Sequence, residues 1–254
     1  MVIDDYAYPV EQDSITLSQK RPEDALYSGS GFLWRRHEKG KENYVRNGGI
    51  VSQYFDKKYD GLAKNFYNFF KFSNLLKAKG LENLDSVGDS GCVIVANHKG
   101  SLDPIYISSA LKCFDKKIRW ISKKENFNSS DLLNIFMEIG QVIPLSDDRK
   151  LTDYSKQRIV EILNKKEALG IFPEGTRNKS NDLLKFHTGA IKICIDNNVP
   201  YIPIGLVGKP KPFMGKVVVN IGEPVYLDNL CVDYDSLKTA SIHMREKIIE
   251  LLNI

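Results

Sequence analysis

From Gly80 onward, short apolar runs rich in β-branched residues alternate with stretches of helical period. Segments 92–96, 118–122, 141–145, 168–172, 201–207 and 217–221 have strand length. Between them the spacing changes. Segment 130–139 reads as a short helix with a Ser-Asp start, and 152–166 carries Ile159, Ile162 and Leu163 on one face with lysines near its end. Segment 235–252 places Leu237, Met244, Ile248 and Leu251 at helical intervals, as a packing helix does. The alternation predicts an α/β fold in which a mixed, mostly parallel sheet is surrounded by helices.

Ahead of that region the pattern differs. In 51–71, Phe55, Tyr59, Leu62, Phe66, Phe69 and Phe70 fall within an arc of about 100° at helical pitch, with Lys57, Lys64 and Lys71 on roughly the opposite side. Such a basic amphipathic helix suits either packing on its own domain or lying in a membrane interface. Residues 1–50 are polar and lack a sustained apolar period. Gly29-Ser30-Gly31 lacks the rest of any nucleotide fingerprint and reads as a turn, and Arg35, Arg36 and His37 read as a solvated charge run. The expected organisation is a polar extension (1–50), an amphipathic helical segment (51–80) and an α/β domain (81–254).

Composition narrows the function classes. The 254 residues are 42% hydrophobic, enough for a buried core, and 36 basic against 32 acidic side chains leave a net charge of only +4. A general polyanion binder is not implied, and the lack of a recognised binding motif argues against a nucleic-acid partner. The longest stretch without Asp, Glu, Lys or Arg is twelve residues, 197–208, and holds two prolines, which is short for a membrane-spanning helix. The first residues offer no basic start and no apolar core of a signal peptide, so cytoplasmic residence is expected. Cys92, Cys113, Cys194 and Cys231 form no C-x-x-C pair and read as reduced structural thiols, and the four histidines form no H-x-x-x-H pair, so no metal site is expected.

Two short segments carry candidate chemistry. Asn97-His98-Lys99-Gly100-Ser101-Leu102-Asp103-Pro104 follows a buried run, where sites of α/β folds sit. Five positions on a regular helix would separate His98 and Asp103 by about 140°, so they meet only across a turn, which Gly100 permits. An imidazole with an ordinary pKa of about 6.5 can serve as a general base, and a carboxylate on its other nitrogen fixes the tautomer. The alternative is that Asp103 only caps a helix beginning at Pro104. Phe172-Pro173-Glu174-Gly175-Thr176-Arg177 also follows a buried run. Arg177 can fork onto a phosphate, Thr176 can donate, Glu174 can accept from a polyol hydroxyl, and Gly175 allows close backbone approach. The alternative is an ordinary turn with a surface Glu–Arg pair. Lys185-Phe186-His187-Thr188-Gly189-Ala190 opens a helix at 191–196 with a lysine beside it, and the proline-punctuated segment 199–206 reads as a structural strand.

In order, Asn-His-x-x-x-x-Asp at 97–103, Phe-Pro-Glu-Gly-Thr-Arg at 172–177, Lys-Phe-x-x-Gly-Ala at 185–190 and Val-Pro-x-x-Pro-Ile at 199–204 resemble the glycerolipid acyltransferase family, specifically its bacterial 1-acylglycerol-3-phosphate acyltransferases. The lead-in Lys79-Gly80-Leu81-Glu82-Asn83-Leu84 extends the resemblance over roughly residues 72–225. It implies transfer of a fatty acyl group from an acyl carrier protein or coenzyme A thioester to the 2-hydroxyl of 1-acylglycerol 3-phosphate, giving phosphatidate without metal or bound cofactor. His98 would be the base and Asp103 its orienting partner. Asn97, Lys123, Lys124, Glu174, Gly175, Thr176, Arg177 and Lys185 would serve the acceptor. The basic stretch holding Lys112, Lys116, Lys117, Arg119, Lys123 and Lys124 would suit anionic lipid or an acidic carrier protein. A lysophospholipid acceptor also favours peripheral attachment to the inner face of the membrane through 51–71. One departure stands out: where the family follows its Gly-x-Ile-type strand with an arginine, this chain has Ser146, and the nearest arginine is Arg149. That leaves room for a related acyltransferase using another lysophospholipid, lyso-ornithine lipid or glycerol 3-phosphate, and for an inactive lipid-binding relative.

Overall fold

A computed structural model describes residues 75–111, 116–123, 140–146, 150–180, 182–208, 215–227 and 233–253, with further positions within 60–73 and at 126 and 148. The strands are β1 (Leu76–Lys79), β2 (Cys92–Ala96), β3 (Ile118–Lys123), β4 (Ile143–Leu145), β5 (Ala168–Ile171), β6 (Tyr201–Gly208) and β7 (Val217–Ile221). They form one seven-stranded sheet in the order β1-β7-β6-β2-β5-β3-β4. Pairings among β6, β2, β5, β3 and β4 are parallel, while β7 runs antiparallel to β6 and carries β1 parallel to itself. The mixed, mostly parallel sheet expected from the sequence is therefore present. In the α/β region the described residues form the α-helices α1 (Asp103–Ala110), α2 (Asp153–Asn164), α3 (Gly189–Asp196) and α4 (Tyr234–Leu252).

Local chemistry sets the boundaries. β2 is buried on both faces, so every residue of Cys92–Ala96 is apolar: Cys92, Ile94 and Ala96 join one core layer and Val93 and Val95 the other. The Thr152 hydroxyl accepts from Ser155 N–H to start α2, and the Asp233 carboxylate accepts from Ser236 N–H to start α4. β4 is shorter than the 141–145 reading because Gln141 takes a left-handed φ of 47° in a turn and only Ile143–Leu145 pairs with β3. Segment 81–87 forms a 3-10 helix, and β1, which the apolar pattern did not single out, is an edge strand of alternating burial.

The connections create a crevice. β2 leads through α1 to β3, beyond β5, while β5 leads through α3 to β6, beyond β2. Tyr106 and Ile107 of α1 pack in the layer of Cys92 and Ile94, whereas Ala190, Ile191 and Cys194 of α3 pack in the layer of Val93 and Val95. The chain thus leaves two adjacent strands toward opposite faces, the switch-point arrangement that opens a ligand crevice at the carboxyl ends of strands in α/β folds.

Within the predicted amphipathic segment, the described positions of 60–69 have helical backbone. Phe66 packs on the core, Phe69 is 41% exposed, Lys64 is exposed, and Asp60 lies 3.7 Å from Lys117. Phe55, Lys57, Tyr59, Phe70 and Lys71 lie outside the described residues, as do the extension 1–50, the helix expected at 130–139, and Cys113 and Cys231. Cys92 and Cys194 are free and buried, and burial pushes the Cys92 thiol up to about 12, which fits inert structural thiols. Among the described residues no helix is long and apolar enough to cross a membrane.

Candidate active site

β2 delivers His98 to the crevice, and the turn after it brings His98 and Asp103 together. Asp103 N–H donates to Gly100 O at 3.2 Å, closing the turn that the five-residue separation required. His98 Nδ1 lies 2.8 Å from Asp103 Oδ2. The same oxygen accepts Lys99 N–H at 2.6 Å and Gly100 N–H at 2.7 Å. Asp103 is fully buried at the first position of α1, after Leu102 as N-cap. Its carboxylate makes no cap bond to the helix and instead orients the imidazole, so of the two readings its sequence position left open the geometry favours the pairing with His98. A carboxylate accepts only, so Nδ1 carries a proton, and in the neutral ring Nε2 then holds the lone pair.

Rings fix the imidazole plane. His98 stacks on Phe172 with centroids 4.1 Å apart and planes 14° apart, and Phe172 stacks on Trp120 at 4.7 Å and 13°. Trp120 Nε1 donates to Ser108 Oγ at 3.2 Å. This column needs Gly170: a Cβ there would sit 2.5 Å from Trp120 Cε3, closer than atoms tolerate. A glycine inside β5 thus lets a ring of β3 lie against the strand.

Beside His98 opens a cavity of about 690 Å³. Ile121, Leu145, Leu151, Ile171, Phe172 and Ile193 give it apolar walls, and Lys123, Lys150, Lys156, Arg177 and Lys192 give it cationic ones. Lys150, Lys156 and Lys192 lie within 3.0, 3.5 and 3.5 Å of Asp148, Asp153 and Asp196. Arg177 instead donates to Ser101 Oγ at 2.8 Å, a neutral partner that leaves its charge available to an anion. Gly175 turns the loop with φ 65°, where a Cβ would press to 3.1 Å on the His187 ring. Thr176, His187, Thr188 and Gly189 complete this side of the cavity.

Not every residue assigned from the sequence faces this space. His98, Lys123, Gly175, Thr176 and Arg177 line the cavity. Asn97 is fully buried and spends its amide on β6, with Nδ2 donating to Leu206 O at 3.0 Å and Oδ1 accepting Leu206 N–H at 2.7 Å. It braces two strands. Glu174 is 4% exposed and points inward, with both carboxylate oxygens taken by protein donors. Lys185 is exposed and does not line the cavity, and Lys124 and Arg149 lie outside the described residues. The basic stretch is also divided: Arg119 is buried against Glu167 at 2.9 Å, and Lys116 and Lys117 sit at the opposite end of β3 from Lys123, about 20 Å away. A single basic surface from 112 to 124 is therefore not formed by the described residues. Asn178, 5% exposed, and the cavity-facing Lys150 and Lys192 carried no motif in the sequence. Ser146, at the position of the expected arginine, closes its own loop by exchanging hydrogen bonds with the Lys150 backbone at 2.9 and 3.0 Å.

Comparison with known proteins adds an independent observation. A family model described as Acyltransferase matches residues 76–207, a span that holds β1 through nearly all of β6. The 1-acyl-sn-glycerol-3-phosphate acyltransferase BAT2, chloroplastic, of Brassica napus is 33% identical over 75% of this chain and 53% of its own length. The 1-acyl-sn-glycerol-3-phosphate acyltransferase of Bacillus subtilis is 30% identical over 59% of this chain and 74% of its own. The chain spans about half the length of the Brassica protein and of a similar chloroplastic protein from Arabidopsis thaliana. The crystal structure of the 1-acyl-sn-glycerophosphate acyltransferase PlsC from Thermotoga maritima has the same fold, with a TM-score of 0.57 over 81% of this chain and 88% of that one at 23% identity.

Proposed function

The chain belongs to the acyltransferase family, and from that premise we propose that it transfers a fatty acyl group from an acyl carrier protein or coenzyme A thioester to the 2-hydroxyl of 1-acylglycerol 3-phosphate, yielding phosphatidate. The observation that carries this reading is the His98 Nδ1–Asp103 Oδ2 pair at 2.8 Å, beside a cavity that combines apolar walls with Arg177 and Lys123. An apolar chain and a phosphate on one substrate call for that combination. Nε2 takes the proton of the acceptor hydroxyl while its oxygen attacks the thioester carbonyl carbon. The carbon–sulfur bond then breaks, and the thiolate leaves with the proton from the imidazolium. Asp103 stabilises that imidazolium and keeps the tautomer correct. No Ser or Cys occupies a nucleophile motif, so direct transfer is favoured over an acyl-enzyme.

Arg177→Ala is expected to raise the acceptor KM more than it lowers kcat, because a phosphate contact holds ground and transition states alike. Steady-state kinetics with lysophosphatidate as the varied substrate checks this, and an unchanged KM removes Arg177 from the phosphate site. Attachment to the membrane surface is assigned to 51–71, whose described part exposes Phe69 and Lys64 while Phe66 holds it to the domain. Removing 51–71 should abolish co-sedimentation with anionic liposomes; unaltered co-sedimentation of the shortened chain contradicts the assignment.

A second reading keeps the chemistry and changes the acceptor. Its support is Ser146, whose hydroxyl is engaged with Lys150 where the family resemblance leads one to expect an arginine. An acceptor competition separates the two: with lysophosphatidate, other lysophospholipids, lyso-ornithine lipid and glycerol 3-phosphate offered together, lysophosphatidate should be acylated first. Preferential acylation of another acceptor moves the assignment there.

A further inference from the structure

Glu174 looks outward in sequence, between a turn proline and a flexible glycine, yet in the fold it faces the backbone of the histidine loop. His98 N–H donates to Glu174 Oε1 at 2.9 Å. Glu174 Oε2 accepts Asn178 Nδ2 at 2.8 Å and Leu184 N–H at 3.1 Å. Asn178 closes the ring from the other side, its own N–H donating to His98 O at 2.7 Å. Asn178 Nδ2 also reaches Asp182 O at 2.6 Å, and its Oδ1 accepts Ser180 N–H at 2.9 Å. Both side chains are almost wholly buried, and neither lines the cavity.

We propose that Glu174 and Asn178 are positioning residues: together they clamp both peptide groups of His98, so that its Nε2 is held at a fixed place at the mouth of the cavity. Asp103 and Phe172 fix the orientation of the ring, but they act on the imidazole and leave the Cα free to shift with its loop. The loops after β2 and β5 leave the sheet toward opposite faces. Exposed side chains bridge them at Arg177–Ser101 and Lys99–Ser180, and the Glu174–Asn178 clamp adds a buried tie to the His98 backbone itself. A carboxylate is suited to the position because it accepts at both oxygens, and three N–H groups converge on it. Its Gln replacement offers one acceptor and one donor, so in either amide orientation at least one of these contacts becomes donor against donor. This inference deepens the proposed acyl transfer and moves Glu174 from the acceptor's ligands to the base's support. A base displaced by about 1 Å can lose on the order of 10²-fold in rate while substrate contacts elsewhere persist.

The test uses the full chain and has three arms. In the wild type, amide hydrogen exchange at His98 should be as slow as in the middle of β2; exchange at the rate of an unstructured amide overturns the clamp without any variant. In Asn178→Ala and Glu174→Gln, the downfield proton signal of the His98 Nδ1–H bond to Asp103 should shift or vanish, and with lysophosphatidate and an acyl thioester kcat should fall about 10- to 100-fold with the acceptor KM within about twofold. A raised acceptor KM with an unmoved Nδ1–H signal returns Glu174 to the substrate, and unaltered kcat and signal together dismiss the clamp. Should the wild type give no turnover with lysophosphatidate, the exchange and Nδ1–H arms still decide the clamp, and the loss falls on the acyl-transfer reading alone.

Discussion

Replacing His98 with alanine is expected to slow acyl transfer by about 10²- to 10⁴-fold, the usual contribution of a positioned general base. That corresponds to roughly 3–5 kcal/mol of transition-state stabilisation. Binding of lysophosphatidate should persist, because Arg177 and Lys123 are untouched by the change. Folding should persist too. The imidazole is a partly exposed ring on one face of Phe172, and its backbone bonds to Glu174 and Asn178 do not depend on the side chain. Initial rates beside equilibrium acceptor binding and thermal unfolding separate these effects. Wild-type turnover in the variant removes His98 from the chemistry.

Asp103→Ala is expected to differ in kind, losing activity on a similar scale and stability as well. Its carboxylate oxygen receives three donors, His98 Nδ1–H, Lys99 N–H and Gly100 N–H, in a site closed to water. Leaving buried donors without an acceptor costs about 1–3 kcal/mol each, reduced where the loosened turn lets water in. A total of about 2–4 kcal/mol is expected, measured as a lower denaturation midpoint with an unaltered slope. A variant as stable as the wild type contradicts the turn-closing role, and full activity contradicts the pairing with His98.

The contrast between these two residues reflects what the sequence could and could not carry. Runs buried on both faces, such as Cys92–Ala96, have no polar residue to obscure their limits, and the strand at 92–96 coincides with its apolar run, as the strand at 217–221 does with its valine-rich one. β1 eluded the pattern because Leu76-Lys77-Ala78-Lys79 is four residues long at a sheet edge, too short for its alternation to rise above a loop. The meeting of His98 with Asp103 was legible because a five-residue separation with an interior glycine permits a turn. Orientation was not. Asn97 and Glu174 belong to the motifs and sit at the crevice, yet their side chains turn into the protein, toward Leu206 and toward the His98 peptide. Spacing states which residues share a loop; only the pairing of β2 with β5 and β6 decides which way each side chain faces. Asn178 offered one signal, an amide four residues beyond a glutamate in a turn, but its partner across the sheet lies 80 positions away in sequence. Lys150 and Lys192 come to the cavity from two separate connections, after β4 and within α3, whose convergence is a property of the sheet order.

The central claim is that the Asp103-oriented His98 drives acyl transfer to lysophosphatidate. The direct measurement is phosphatidate formation by the purified full chain, with acyl carrier protein and coenzyme A thioesters offered in parallel and His98→Ala beside the wild type. Phosphatidate from one donor or both, lost in the variant while lysophosphatidate still binds, is the expected result. No phosphatidate from the wild type with either donor, or equal phosphatidate from the variant, contradicts the claim.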